Sequence, residues 1–152
     1  AITAHVGDSR VYRLRDGRME SLTLDHSQVM EMVRHGVISL EEARHHDDKN
    51  VILRAVGTQE KIEVEVSAPF AVVPHDEFLL CSDGLSDMLS VDEIASIWSS
   101  RRDLYTACER LIAEANAAGG HDNVTAGIVR VAPRAAAQYK STVRATREIE
   151  VA

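Results

Sequence analysis

Hydrophobic and polar residues alternate in several short runs along the chain, a pattern typical of β-strands that bury one face. The first run lies at residues 2–6, and two more flank the Arg-Asp-Gly-Arg segment at residues 15–18. Because Asp-Gly favours the tightest hairpin turns, this segment predicts a β-hairpin. Residues 78–81 are apolar throughout, which predicts a strand buried on both faces. Further strands are predicted at residues 51–56, 62–67 and 124–131.

Helical segments separate these strands. Ser39 with Glu42, and Ser90 with Glu93, have the spacing of capping boxes, in which each residue pairs with a backbone N–H of the other. A longer apolar stripe predicts a helix over residues 103–117, which ends at two glycines. Strands and helices come in blocks instead of regular alternation, which favours the α+β class with antiparallel sheets.

Composition narrows the classes of protein. The 152 residues carry a net charge of −7, which argues against a nucleic-acid surface. No apolar stretch approaches the ~20 residues that span a bilayer, and no signal peptide is recognised, so we expect a cytoplasmic protein without membrane contact. Cys81 and Cys108 are interpreted as buried thiols in a reducing compartment. A strand that starts at Ile2 without an initiator Met suggests that upstream sequence has been removed.

Three aspartates stand at predicted strand ends, each close to a glycine. They are Asp8, Asp83 and Asp122. Carboxylates on rigid strand ends that converge would form an all-oxygen site for Mg²⁺ or Mn²⁺, the cations that prefer such ligands. Asp-Gly and Gly-Asp-Ser are more often ordinary turns, and Gly-Gly-x-Asp-Asn, although more specific, also occurs as a helix stop with an Asx-turn, so the residues alone leave both interpretations open.

The order of five motifs adds a resemblance. VGDSRVYRL, LTLDHS, NVILRAVGT, FLLCSDGLSDML and GGHDNVTAGIVRV occur in the order seen in the metal-dependent protein phosphatases, the protein phosphatase 2C-like family. The resemblance implies a pair of antiparallel sheets between helices, an α+β sandwich that here is incomplete at its N-terminus. It also implies two Mg²⁺ or Mn²⁺ ions, with a third possible, and hydrolysis of phosphoserine and phosphothreonine.

The same resemblance implies roles for individual residues. Asp83 and Asp122 match metal ligands of the family, and Asp8 matches the residue that shares a third, weaker metal with Asp83 in bacterial members. Asn123 is expected to orient Asp122, and Gly84 to make room for the turn after Asp83.

The resemblance also sets the domain boundaries that we expect. Residues 1–132 correspond to the C-terminal portion of a catalytic domain, with a flap beside the active site at about residues 27–50. The tail at residues 133–152 shows strand period near its end and predicts an added strand, paired within the chain or by exchange with a second copy.

Several catalytic parts of the family have no counterpart here. The aspartate that bridges the two metals, the phosphate-binding arginine and the candidate general acid are absent, so the isolated chain is predicted to have little or no activity. Two hypotheses remain. The chain is part of a signalling phosphatase that acts on phosphorylated proteins opposite a cognate serine/threonine kinase, or it is a non-catalytic phosphatase-like module for binding or regulation.

Overall fold

The computed structural model describes residues 1–100 and 103–133, and the predicted strand in the tail lies outside this range. Six strands and five helices follow one another in these residues. They are β1 (Ala4–His5), β2 (Arg10–Arg15), β3 (Arg18–Ser21), α1 (Gln28–Arg34), α2 (Leu40–His45), β4 (Glu65–Val66), β5 (Glu77–Cys81), α3 (Asp83–Ser86), α4 (Val91–Ser99), α5 (Leu104–Ala117) and β6 (Ala126–Arg130).

The strands form two antiparallel sheets. The larger sheet has the order β3-β2-β5-β6, and β1 pairs with β4 in a smaller one. The predicted hairpin joins β2 to β3, with Asp16 at φ 50° and Gly17 at φ 75°, the left-handed conformations that the tight turn requires. The α+β class with antiparallel sheets and flanking helices is therefore confirmed.

The helix caps follow the sequence closely. Both predicted capping boxes form. The Ser39 and Ser90 hydroxyls accept from the N–H groups of Glu42 and Glu93, and the carboxylates of these glutamates accept from the N–H groups of the two serines. The predicted long helix is α5, which Asp103 caps through the N–H of Thr106. None of the described helices has the length and hydropathy that crossing a bilayer requires.

The core lies between the larger sheet and helices α3, α4 and α5. Tyr12 and Leu79 project from the sheet into this core, where the Trp98 ring is also buried. The Trp98 indole N–H donates to Glu77 Oε2 at 2.6 Å, so its polar edge is satisfied at the end of β5. The other buried members are Cys81, Leu85, Leu89, Ile94, Ala107, Leu111 and Ala115.

Strand β5 differs from its prediction, because only one of its faces is buried. Leu79 is 0% exposed, whereas Leu80, which points to the opposite face, is 48% exposed. Val129 lies on the same outer face of the sheet and is 57% exposed. A continuous apolar run therefore marks a strand with two apolar faces, but it does not show that both faces are covered.

The loop segments contain less strand than the alternating pattern predicts. Within residues 51–56, only Ile52 forms a bridge, which pairs it with Ser27. Within residues 62–67, only the two residues of β4 pair with a neighbouring strand. Alternation alone does not supply the partner strand that a ladder needs.

One buried carboxylate, that of Asp76, links the end of β2 to the start of β5. Asp76 is 1% exposed and receives two hydrogen bonds of 2.6 Å from the Arg15 guanidinium. The Val73 N–H donates a third bond of 2.9 Å to the same carboxylate. The hydrogen bond from Arg15 is the largest cause that lowers the pKa of Asp76 to about 2, from an ordinary value of 3.8.

This pKa predicts a particular loss of stability in acid. The unfolded chain takes up the Asp76 proton at a higher pH than the folded chain, so the stabilisation is complete above about pH 5 and is lost as the pH falls towards 2. We expect the difference in unfolding free energy between wild type and Asp76→Asn to narrow by about 2 kcal/mol over this window. Urea unfolding at several pH values measures it, and a difference independent of pH would contradict the assignment.

Candidate metal centre

The three candidate aspartates lie just beyond strand ends at the same end of the larger sheet. Arg10 pairs with Cys81 in the register of β2 and β5, and Cys81 pairs with Ala126 in the register of β5 and β6. The chain enters β2 two residues after Asp8, leaves β5 two residues before Asp83, and enters β6 four residues after Asp122. The antiparallel register alone therefore brings the three segments together.

Asp8 lies in a turn that residues of the LTLDHS motif fix from both sides. Gly7 has φ +95°, and its backbone makes two hydrogen bonds with His26, one to the ring and one from the His26 N–H. On the other side, Arg10 forms a bidentate pair with Asp25, at 2.8 Å and 2.6 Å. The position of Asp8 thus depends on residues 25 and 26.

Ser82 fastens the Asp83 segment to the Asp122 segment. Its hydroxyl donates to the Asn123 carbonyl at 3.1 Å and accepts from the Thr125 N–H at 3.0 Å. Asp83 then begins the short helix α3, and its carboxylate accepts from the Gly84 N–H at 2.9 Å. The Asp122 carboxylate accepts from the Asn123 N–H at 2.6 Å, so it is the backbone of Asn123 that contacts Asp122.

Gly84 serves a different purpose from the one expected. It lies within α3 and has no left-handed φ, so the turn itself does not require glycine. A Cβ at this position would lie 3.0 Å from the Asn123 carbonyl carbon and closer still to its oxygen. Glycine is needed because the backbone that follows Asp122 packs directly against α3.

Asp8 and Asp83 share a cavity of about 380 Å³ with further carboxylates. Burial is the largest cause that raises the pKa of Asp8, followed by the charge of Asp83, with smaller contributions from Asp25 and Asp87. A carboxyl in this position gains from a cation, which would neutralise the repulsion that raises its pKa. Oxygen donors of this kind fit Mg²⁺ or Mn²⁺.

The chain resembles known phosphatases over most of its length. It is 43% identical over 129 residues to the serine/threonine phosphatase Stp of Listeria welshimeri. The matched region is 84% of this chain and 50% of the relative. The crystal structure of the Ser-Thr phosphatase MsPP from Mycobacterium smegmatis in complex with cacodylate matches with 38% identity and a TM-score of 0.78, over 86% of this chain and 55% of that one.

A third match carries metal. The catalytic domain of the phosphatase PstP in complex with two manganese ions matches with 35% identity and a TM-score of 0.72, over 86% of this chain and 53% of that one. No family model matches the sequence. The agreement in sequence, fold and order of motifs nevertheless decides the family. The chain belongs to the protein phosphatase 2C-like family. It spans about half the length of the curated relatives that it matches.

The structure brings the family's candidate ligands to one end of the sheet without closing them into one group. Asp8 and Asp83 line the shared cavity, whereas Asp122 lies outside its lining and is exposed. In the described part of the chain, the only three side chains whose metal-ligating atoms all lie within 4.8 Å of one another are His5, His26 and Glu65.

Sequence reasoning overlooked two carboxylates of this phosphatase-like centre. Asp87 lines the cavity and follows Asp83 by four residues, which places the two on the same side of one helical turn. Asp25 lines it as well and is the partner of Arg10. The spacing of Asp83 and Asp87 was a usable signal, whereas the proximity of Asp25 depends on the fold.

The predicted flap borders the same cavity. Helices α1 and α2 fall within residues 27–50, and Ala43 and Arg44 line the cavity from α2. Lys49, just beyond α2, donates to Asp87 at 3.2 Å and ties this segment to α3. Burial raises the pKa of the Cys81 thiol to about 11, so this cysteine is a neutral core residue beside the centre and no thiolate nucleophile.

Proposed function

We propose that the complete protein hydrolyses phosphoserine and phosphothreonine in other proteins, and that this chain contributes Asp8, Asp83 and Asp122 as metal ligands. The observation that carries the proposal is the placement of these aspartates at one end of the sheet, with Asp8 and Asp83 in one cavity. The identity to the Listeria phosphatase and the two manganese ions of PstP support it.

Within the proposed mechanism, this chain holds and spaces the ligands. Ser82 and Gly84 keep the Asp83 and Asp122 segments in contact, and the pair between Arg10 and Asp25 steadies the approach to Asp8. Mg²⁺ or Mn²⁺ bound there would lower the pKa of a coordinated water and make it a nucleophile towards phosphorus. Asn123 supports Asp122 through its backbone N–H.

The proposal also covers the substrates, the functional partner and the location of the complete protein. Phosphorylated proteins are the proposed substrates, and a serine/threonine kinase with the opposite activity is the proposed functional partner. Residues 1–132 form the proposed C-terminal portion of the catalytic domain, with the flap at about residues 27–50 beside the substrate. The cytoplasmic location expected from the sequence is part of the same proposal, as is a bacterial origin, which the Listeria relative supports.

Mg²⁺ titration followed by the carboxylate carbon NMR shifts of single aspartates tests the metal centre. We expect the Asp8 and Asp83 shifts to move together, and Asp83→Asn to raise the midpoint for Asp8 by about tenfold or more. Asp92→Asn is the matched control, because Asp92 is exposed on α4 and does not line the cavity. A midpoint that Asp83→Asn leaves unchanged would contradict the proposed ligands.

The isolated chain is expected to hydrolyse a phosphopeptide slowly or not at all with Mn²⁺. The reason is that this chain has no counterpart of the bridging aspartate, so the charge of two cations is under-compensated. Rapid Mn²⁺-dependent hydrolysis by these 152 residues would show that the proposed division of the active site is wrong. Metal binding without hydrolysis is also what a binding module would show, so only the activity of a complete domain separates the two hypotheses.

A further inference from the structure

A second cluster of potential metal ligands lies behind the Asp8 turn. His5 on β1 and Glu65 on β4 are directly opposite one another in the sheet, and the His26 ring stacks on His5 with centroids 4.6 Å apart. Their ligating atoms lie within 4.8 Å of one another. Two imidazoles and a carboxylate are a common ligand set for zinc, so the hydrogen bonds of the cluster decide whether a metal fits.

These hydrogen bonds argue against a metal. The Gly7 N–H donates to His26 Nδ1 at 3.1 Å, so this nitrogen carries no proton. His26 Nε2 then carries the ring proton and donates to Glu65 Oε2 at 3.2 Å. A neutral imidazole that binds a metal through Nε2 keeps its proton on Nδ1, where it would face the Gly7 N–H. The ring is therefore oriented for hydrogen bonding and not for zinc.

We propose that His26 is a positioning residue, which fixes the Gly7 turn and thereby aims Asp8 into the candidate metal centre. Glu65 fixes the tautomer of His26, and His26 fixes the backbone of Gly7 through both its ring and its own N–H, the latter at 2.9 Å to the Gly7 carbonyl. Glycine has no side chain to restrict this turn at φ +95°, so an outside partner must do it.

Repulsion between the carboxylates of the centre explains why the Asp8 turn needs the hydrogen bonds with His26. Asp8 lines the same cavity as Asp25, Asp83 and Asp87, so like charges repel its carboxylate, and without restraint its turn would move away from them. His26 is 4% exposed, so its hydrogen bond to Gly7 is shielded from competing water. The hydrogen bond from His26 is the largest cause of the lowered pKa of Glu65, which agrees with a proton on Nε2.

Two substitutions at position 26 separate this role from simple packing. Asparagine places an acceptor near the position of Nδ1, so His26→Asn retains the bond to Gly7 and loses the one to Glu65. Glutamine places its amide near the position of Nε2, so His26→Gln retains the bond to Glu65 and loses the one to Gly7. The readouts are exchange of the Gly7 amide hydrogen and the Mg²⁺ midpoints of the Asp8 and Asp122 carboxylate carbons.

We expect His26→Gln to speed exchange at Gly7 and to raise the Mg²⁺ midpoint of Asp8 by about tenfold, with the Asp122 midpoint unchanged. His26→Asn should stay within about twofold of wild type in both readouts, since it keeps the Gly7 bond. Equal effects of the two variants would overturn the proposal in favour of packing. The inference rests on the proposed function, and the two are contradicted by different results. If the Asp8 and Asp83 carbons of the wild type show no Mg²⁺-dependent shift, the proposed function fails and the inference fails with it. If they shift but the two variants behave alike, only the inference fails.

Two measurements keep the test decisive if a substitution at the buried position 26 prevents folding. Ring-nitrogen NMR of the wild-type chain should show the proton on Nε2 of His26, and a proton on Nδ1, or Zn²⁺ bound at Nε2, would overturn the proposal. Glu65→Ala should raise the Mg²⁺ midpoint of Asp8 by about half an order of magnitude, because without Glu65 the proton of the His26 ring is no longer held on Nε2. Glu63→Ala is its control, since Glu63 is exposed and pairs only with Arg54 among the described contacts.

Discussion

Replacing Asp76 with alanine is expected to lower the free energy of unfolding by about 3 kcal/mol, because breaking a buried ion pair leaves its partners without compensation. The substitution removes both hydrogen bonds from Arg15 and the bond from the Val73 N–H. Arg15 is 31% exposed and regains some water, which places the loss at the lower end of the range for buried pairs. Urea unfolding at neutral pH measures the effect.

Glu20→Ala is the matched control for Asp76→Ala. Glu20 also pairs with an arginine of β2, Arg13, but its side chain is 51% exposed. Exposed ion pairs contribute little, so we expect a loss below about 1 kcal/mol. A similar loss in the two variants would show that burial of Asp76 does not determine the strength of its pair.

Gly84→Ala is expected to destabilise the chain by about 3 kcal/mol, because the added methyl group would clash with backbone atoms, which must shift to accommodate it. The nearest atoms belong to the Asn123 peptide, which Ser82 already fixes by a hydrogen bond. Any relief must displace the segment after Asp122, so the variant should also weaken Mg²⁺ binding. Urea unfolding and the Mg²⁺ midpoint of the Asp122 carboxylate carbon measure the two effects.

Gly127→Ala provides the comparison for Gly84→Ala. Gly127 lies on β6, has no left-handed φ, and a Cβ there would meet no atom within 4 Å. Alanine at this position should be neutral or slightly stabilising, within about 1 kcal/mol, since glycine weakens a strand interior. If Gly84→Ala were equally harmless, the contact between α3 and the Asp122 segment would not limit the residue at position 84.

The features predicted correctly from sequence are those whose causes are local. The hairpin at Asp16 and Gly17 follows from two adjacent residues that tolerate positive φ. The capping boxes at Ser39 and Ser90 follow from side chains three residues apart. Each of these depends on a few neighbouring residues, so no knowledge of the fold was needed.

The features that sequence reasoning missed depend on distant partners. The apolar run of β5 does not reveal that Leu80 faces outwards, because exposure depends on what covers the sheet. Gly84 was assigned to a turn, since the Asn123 backbone that requires it lies far along the chain. The contact between His26 and Gly7 likewise joins two motifs that sequence alone presents separately.

The Ser82 hydroxyl has a consequence for how the chain folds. It receives a hydrogen bond from Thr125, 43 residues away in sequence, so the Asp83 and Asp122 segments meet only after a long loop has closed. Closing that loop costs entropy that pairing of β5 with β6 must offset, so the metal centre forms together with the sheet and not before it. A cation that binds only this assembled centre would act as a folding ligand and, at a hundred times its dissociation constant, would stabilise the whole unit by about 2.7 kcal/mol.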